Sequence, residues 1–142
     1  MHLELRMSPQ GKGLAQKLQL ILDQDKLEAL GSLLDIESKG LALELSDGQA
    51  IYGGIVVRKD QESLEINQLA LDASLRGQGL GKQMLTFIEN WSRAEGVLTI
   101  RLSVLSYQNK DFFTHLGYIN YSTLKDVPRR GVDSHYFIKY LD

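Results

Sequence analysis

The chain has no cysteine, two prolines and one tryptophan in 142 residues. Without cysteine there is no disulfide framework, no thiolate metal site and no Cys nucleophile, so acyl-enzyme chemistry through a thiol is excluded. Nor is there an apolar run of the length that spans a bilayer, so no membrane association is expected. Met1-His2-Leu3-Glu4 does not open a signal peptide, and the cytoplasm is the expected location. Sixteen Lys and Arg against eighteen Asp and Glu leave a formal charge of −2, which gives nucleic acid no bulk attraction. Histidine is scarce as well. His2, His115 and His135 lie too far apart to suggest a metal site or a catalytic dyad, and no metal is expected. No repeat or low-complexity tract interrupts a composition of 43% apolar and 24% charged residues, which is ordinary for a folded domain. A chain of this size forms one domain, residues 1–142, and buries roughly two-thirds of its unfolded surface.

Glycine, by contrast, is concentrated where it matters. Arg76-Gly77-Gln78-Gly79-Leu80-Gly81 follows a strand-like run and opens an amphipathic helix. Three glycines in five residues remove side chains from a turn, so backbone N–H groups can close around an anion. The helix beginning near Leu80 adds unpaired N–H groups and the positive end of its dipole. A phosphate or pyrophosphate is the natural ligand. The P-loop pattern fails, because Gly81-Lys82 is followed by Gln83 and the leading position is Arg76. The dinucleotide fingerprint fails too, because Lys82 stands where its third glycine belongs.

The periodicity along the chain gives the order β-α-α-β-β-β-α-β-α-β-β. His2 to Met7 alternates as a strand ended by Ser8-Pro9, and Leu14, Leu18, Ile21 and Leu22 recur at helical spacing. Asp25 and Glu28 have capping-box spacing before Leu27, Leu30 and Leu34, which predicts a second short helix. Residues 41–45 and 50–58 read as a hairpin turning at Ser46-Asp47-Gly48, and Leu64 to Leu71 as the next strand. The helix after the glycine loop carries Leu80, Met84, Phe87, Ile88 and Trp91 on one face and stops near Gly96. Leu98 to Val104 alternates as a buried strand, Asn109 to His115 is a short helix, and two strands, Tyr118 to Leu124 and Tyr136 to Leu141, close the sheet. Lys125 to Asp133 between them reads as a polar loop. The fold class is mixed α/β (α+β): a mostly antiparallel sheet flanked by helices, with one parallel pair imposed by the strand–helix–strand unit from 64 to 104.

R-x-x-G-x-G in this context resembles the acyl-CoA pyrophosphate loop of the GCN5-related N-acetyltransferase (GNAT) superfamily. Phe112-Phe113-Thr114-His115-Leu116-Gly117-Tyr118 is similar to a second family motif, a helix ending written F-Y-x-x-x-G-F/Y. The element order and the spacing between the motifs agree, and the resemblance spans the chain, strongest over 64–118. It implies a single acyl-CoA N-acyltransferase domain that moves an acetyl group from acetyl-CoA, as cosubstrate, to an amine acceptor. It further implies that the backbone from Gly77 through Gln78, Gly79, Leu80 and Gly81 to Lys82 holds the pyrophosphate, with Arg76 beginning the loop and Lys82 adding a charge. Leu69, Ala70 and Leu71 would offer main-chain groups to the pantetheine arm, and an N–H near Leu71 would meet the oxyanion.

The family pattern breaks at the chemistry. Phe113 stands where relatives often carry a proton-donating Tyr, and phenylalanine has no proton to give. Tyr107 is the nearest substitute and Ser106 the next. Asn67 occupies the position of a common Glu base, and Asn cannot hold the proton at neutral pH. Glu65, two residues earlier, shares its face on an unbulged strand and would act through water, while Gln68 would face the other way. Three readings stay open from sequence: an acetyltransferase, a silent acyl-CoA sensor, and an interaction module that keeps only the fold. Arg129 and Arg130 in the late loop would rim an acceptor pocket, and the apolar late strands are a candidate surface for a homodimer.

Overall fold

The computed structural model describes residues 1–8, 12–31 and 38–142. The chain divides into two units, Met1–Ile36 and Glu37–Asp142.

In the first unit a single helix, α1 (Lys12–Leu30), replaces the two helices expected from sequence. Asp25 starts nothing, because no glycine or proline separates the two apolar runs and every residue from Ile21 to Leu30 tolerates a helix. Side-chain bonds at i, i+4 spacing, Gln19 to Asp23 at 2.8 Å and Gln24 to Glu28 at 3.1 Å, run through the expected break. The helix stops at Gly31, whose φ of 70° only glycine adopts freely and whose N–H donates to the Leu27 carbonyl. Leu34 lies outside the described residues. His2–Met7 form no strand, and Leu3, Leu5 and Met7 are exposed.

The second unit is a six-stranded sheet of order β1-β2-β3-β4-β6-β5, made from β1 (Lys39–Ser46), β2 (Ile51–Asp60), β3 (Ser63–Leu71), β4 (Thr99–Leu105), β5 (Ile119–Arg129) and β6 (Val132–Tyr140). Helix α2 (Leu80–Ala94) joins β3 to β4, and α3 (Asp111–His115) precedes β5. Only β3 and β4 pair in parallel, as the crossover requires. Cross-strand partners share a face. Val57 with Ile66, Leu64 with Ile100 and Leu102 with Phe137 therefore build one apolar surface, which Met84, Leu85 and Ile88 of α2 and Phe113 of α3 complete.

The buried stripe of α2 is rotated from the one the apolar pattern gives. Met84, Leu85, Ile88, Glu89 and Ser92 face inward, while Phe87 is 54% exposed. Glu89 occupies the stripe because it is paired. Its carboxylate accepts two bonds from Lys139 Nζ, both 3.1 Å, and one from the Tyr118 hydroxyl at 2.9 Å. Lys139 Nζ also donates to the Leu116 carbonyl at 2.9 Å.

The segment expected to be a loop between the last strands is instead the end of a long hairpin turning at Arg130-Gly131. Where its ladder lapses between Leu124 and Arg129, side chains brace it. Asp133 Oδ1 accepts the Asp126 N–H, Asp126 Oδ1 accepts the Gly131 N–H, and the Ser134 hydroxyl donates to the Val127 carbonyl. No helix among the described residues is long and apolar enough to cross a membrane.

Candidate active site

The site begins with a failure of pairing. The parallel ladder joins Ser63, Leu64 and Glu65 to Thr99, Ile100 and Arg101, and ends there. Beyond it the strands part around a cleft of about 980 Å³. Its walls are Ile66 to Leu71 from β3, Leu102 to Val104 from β4, Tyr107 to Asn109 beyond β4, Phe112 and Phe113 of α3, and the glycine loop.

On β3 the parting coincides with a bulge. Ile66 pairs with Val57 and Gln68 with Val56, so Asn67 has no partner on β2. The extra residue resets the alternation. Glu65, opposite Arg58, and Gln68, opposite Val56, now share a face, while Leu69 and Leu71 rejoin the core side. This corrects the unbulged reading that put Glu65 beside Asn67 and turned Gln68 away.

The loop is shaped by its own polar groups. The Asp72 N–H donates to the Tyr52 carbonyl at 2.7 Å, and Asp72 Oδ1 accepts the Ser74 hydroxyl and N–H at 2.7 and 2.9 Å. These Ser74 bonds, with a smaller contribution from Arg76, hold the Asp72 carboxyl below the usual range. A short 3-10 turn, Ala73–Leu75, follows, and Arg76 Nε folds back onto the Leu71 carbonyl at 3.1 Å. Gly77 and Gly79 then adopt φ of 78° and 80°. A Cβ at either would meet nothing within 4 Å, so glycine is required by conformation and not by space.

Gly79 caps α2 without a side chain, and its carbonyl accepts the Gln83 N–H at 3.1 Å. The N–H groups of Leu80, Gly81 and Lys82 precede that bond and have no acceptor inside the helix. Gly77, Gly79, Leu80, Gly81 and Lys82 all border the cleft. Arg76 and Lys82 are its only charged walls among the described residues, and both are cationic. Helix dipole, free N–H groups and two cations thus converge on one end, the arrangement an anionic ligand needs. Gly81 serves packing, because a Cβ there would lie 3.3 Å from the Phe112 ring.

The cleft gathers Asn67, Leu69, Ala70, Leu71, Arg76 and Tyr107 from the sequence expectations, together with all of the loop residues except Gln78. Glu65 and Ser106 stay outside it. Glu65 is exposed on β3 between Arg58 and Arg101 in register. Ser106 is occupied with β6, its Oγ accepting the Asp133 N–H at 3.1 Å and its own N–H donating to the Asp133 carbonyl at 2.9 Å. Tyr107 is 74% exposed on the cleft wall. Phe113 is 7% exposed, with ring neighbours Phe112, Tyr118 and Phe137 at 5.0, 5.7 and 6.1 Å. Tyr118 is core packing: burial, reinforced by the Glu89 charge, pushes its phenol far above the ordinary value.

Sequence reasoning missed Gln68, Ser103, Gln108 and Asn109 as wall residues. Two of them had a readable signal, since Gln108 Oε1 accepts the Leu105 N–H and Asn109 Oδ1 the Phe112 N–H, the work of polar residues between a strand and a helix. His135 is buried and bonded to the Thr123 hydroxyl at 2.9 Å, away from the cleft walls.

Residues 37–120 match a family model described as an acetyltransferase (GNAT) domain. Blasticidin-S acetyltransferase of Streptomyces morookaense is 30% identical over 92 residues, 64% of this chain and 67% of that protein. An acetyltransferase structure from Bacillus cereus ATCC 14579 is similar at a TM-score of 0.82 and 26% identity, covering 99% of this chain and 98% of that one. An aminoglycoside 6'-N-acetyltransferase complexed with coenzyme A is similar in fold, at a TM-score of 0.65 and 16% identity over 97% and 96% of the two chains.

Proposed function

This chain belongs to the GNAT acetyltransferase family, and we propose that it moves an acetyl group from acetyl-CoA to a primary amine by direct attack on the thioester. The observation that carries the reading is the uncapped N-terminus of α2, with its two left-handed glycines and two cations, opening into the gap between β3 and β4. The pyrophosphate is held by backbone N–H groups from Gly77 to Lys82, with Arg76 and Lys82 supplying charge. The pantetheine arm lies along the unpaired edge of β3 at Leu69, Ala70 and Leu71, using main-chain groups as an added strand would.

The amine nitrogen attacks the carbonyl carbon, the C–N bond forms, and negative charge gathers on the carbonyl oxygen, which the N–H near Leu71 meets. Collapse breaks the C–S bond. Tyr107, on the cleft wall with a solvated hydroxyl, gives the departing thiolate its proton. Asn67, freed from the ladder by the bulge, orients the amine and a water that carries its proton to solvent. Proximity supplies most of the rate, since it contributes several kcal/mol while one acid–base group contributes roughly 10²–10⁴-fold.

Calorimetric titration with acetyl-CoA, CoA and dephospho-CoA tests the reading. Micromolar binding of acetyl-CoA is expected, reduced at least 100-fold by Gly79→Asp, which sets a carboxylate at the anion site. A folded protein that binds none of the three ligands would overturn it.

A further inference from the structure

The β5–β6 hairpin is fastened beside the cleft wall. Ser106 and Asp133 exchange two hydrogen bonds, so the hairpin is fastened at the residue immediately before Tyr107, a cleft wall. From Asp133 the chain runs three residues to Arg130, roughly 10 Å along an extended strand. The braces between Asp133 and Asp126, Asp126 and Gly131, and Ser134 and Val127 fix that stretch, so its tip is ordered before any ligand arrives.

The tip carries Arg129 and Arg130, both exposed. Among the described residues neither belongs to an ion pair within 4 Å. The hairpin has two carboxylates of its own, and both are turned onto backbone N–H groups: Asp126 on Gly131 and Asp133 on Asp126. Glu65, beside the cleft wall on β3, stands between Arg58 and Arg101 in register, and Asp72, beside Leu71, is bonded to the Ser74 hydroxyl and N–H. No Asp or Glu lines the cleft among the described residues. The hairpin therefore presents two forked cations, of the kind that bind carboxylate or phosphate in bidentate fashion, beside a site without anionic walls.

We propose that Arg129 and Arg130 select acceptors in which the molecule bearing the amine also bears an anionic group, a carboxylate or a phosphate. The proposal rests on the acetyltransferase reading and deepens it. The two guanidinium groups hold the anion at the hairpin tip while the amine reaches Asn67 and the thioester. They are specificity residues and touch no reacting atom.

The test uses two matched pairs of acceptors, alanyl-alanine with its C-terminal amide, and phosphoethanolamine with ethanolamine, so that carboxylate and phosphate are read separately. Wild-type protein is expected to favour at least one anionic member over its neutral match by ten-fold or more in kcat/KM, mainly through KM, with the ratio shrinking at high salt. In the R129A/R130A variant the ratio falls toward one, and in R129K/R130K it recovers in part. Acetyl-CoA affinity, read by calorimetry on each variant, reports whether the fold and the cofactor end are intact. With acetyl-CoA bound, a ratio at or below one in both pairs, turnover of none of the four, or a ratio that survives R129A/R130A overturns the proposal and leaves the acetyltransferase reading standing. Absence of acetyl-CoA binding by wild-type protein takes both down.

Discussion

In the proposed mechanism Tyr107 gives the proton, and Phe113 stands at the helix position where the family resemblance would put a tyrosine. Both border the cleft, but Phe113 has the helix position and is only 7% exposed among three aromatic rings, while Tyr107 carries the hydroxyl and is 74% exposed. Two substitutions separate position from chemistry. Tyr107→Phe is expected to lower kcat about 100-fold, the low end of the range for one acid–base group, with the acetyl-CoA dissociation constant unchanged. Phe113→Tyr is expected to give no gain in kcat and a melting temperature lower by several degrees, because a hydroxyl buried without a partner costs about 1–3 kcal/mol. Steady-state kinetics beside a thermal melt decides it. A faster Phe113→Tyr enzyme would return the proton to the helix position and take it from Tyr107.

Elements hold the site where it is, and α2 most of all. Its first turn faces the anion end of the cleft, and two turns later Glu89 ties it to Lys139 on β6 and to Tyr118 beside α3. Removing one partner of such a pair strands the other. Glu89→Gln is expected to cost about 2–4 kcal/mol in denaturant unfolding, toward the low side because Lys139 keeps 22% of its side chain exposed. Glu89→Leu combined with Lys139→Met should recover most of that loss, since an apolar replacement leaves no stranded charge. If the double variant were as unstable as the single one, packing and not charge would be what the network provides. The fold class, the hairpin of β1 and β2, the β3–α2–β4 crossover and the loop were legible in the sequence, because each is written in short-range signals: alternation, turn residues, glycine spacing. What was hidden depends on partners remote in sequence. Alternation could not reveal the bulge at Asn67, which is defined only by Val56 and Val57 on the neighbouring strand. Nor could it place Glu89 inside, since the reason is fifty residues away at Lys139. His2–Met7 differ in the opposite sense, a local alternation that forms no strand.

At the scale of the whole molecule, pH works against stability from both ends. Tyr118 has its phenol pKa raised by burial and then by Glu89. Below the ordinary value of 10.0 both the folded and unfolded chains keep the proton, and the group adds no pH dependence. Above it the unfolded chain loses the proton and the folded chain does not, so stability falls as pH rises beyond about 10. Asp47 and Asp72 act at the other end. Their lowered pKa values contribute stability above the ordinary carboxylate value of 3.8 that is lost as acid protonates them in the fold. Denaturation midpoints from pH 3 to 11 should trace a plateau with two shoulders, and Tyr118→Phe should flatten the alkaline one. An unchanged alkaline slope in that variant would mean that other groups set it.

The three-residue seam between β3 and β4 has a consequence of its own. It divides the sheet into two antiparallel halves, β1-β2-β3 and β4-β6-β5, sewn together at one end and open at the other. Under the proposed function, acetyl-CoA threaded into the opening would act as a stitch: its pantetheine amides would offer the exposed strand edge the bonds that a missing neighbour would have made, and its phosphates would pin the helix that joins the halves. The acetyl donor would then supply part of the rigidity of the fold that holds it.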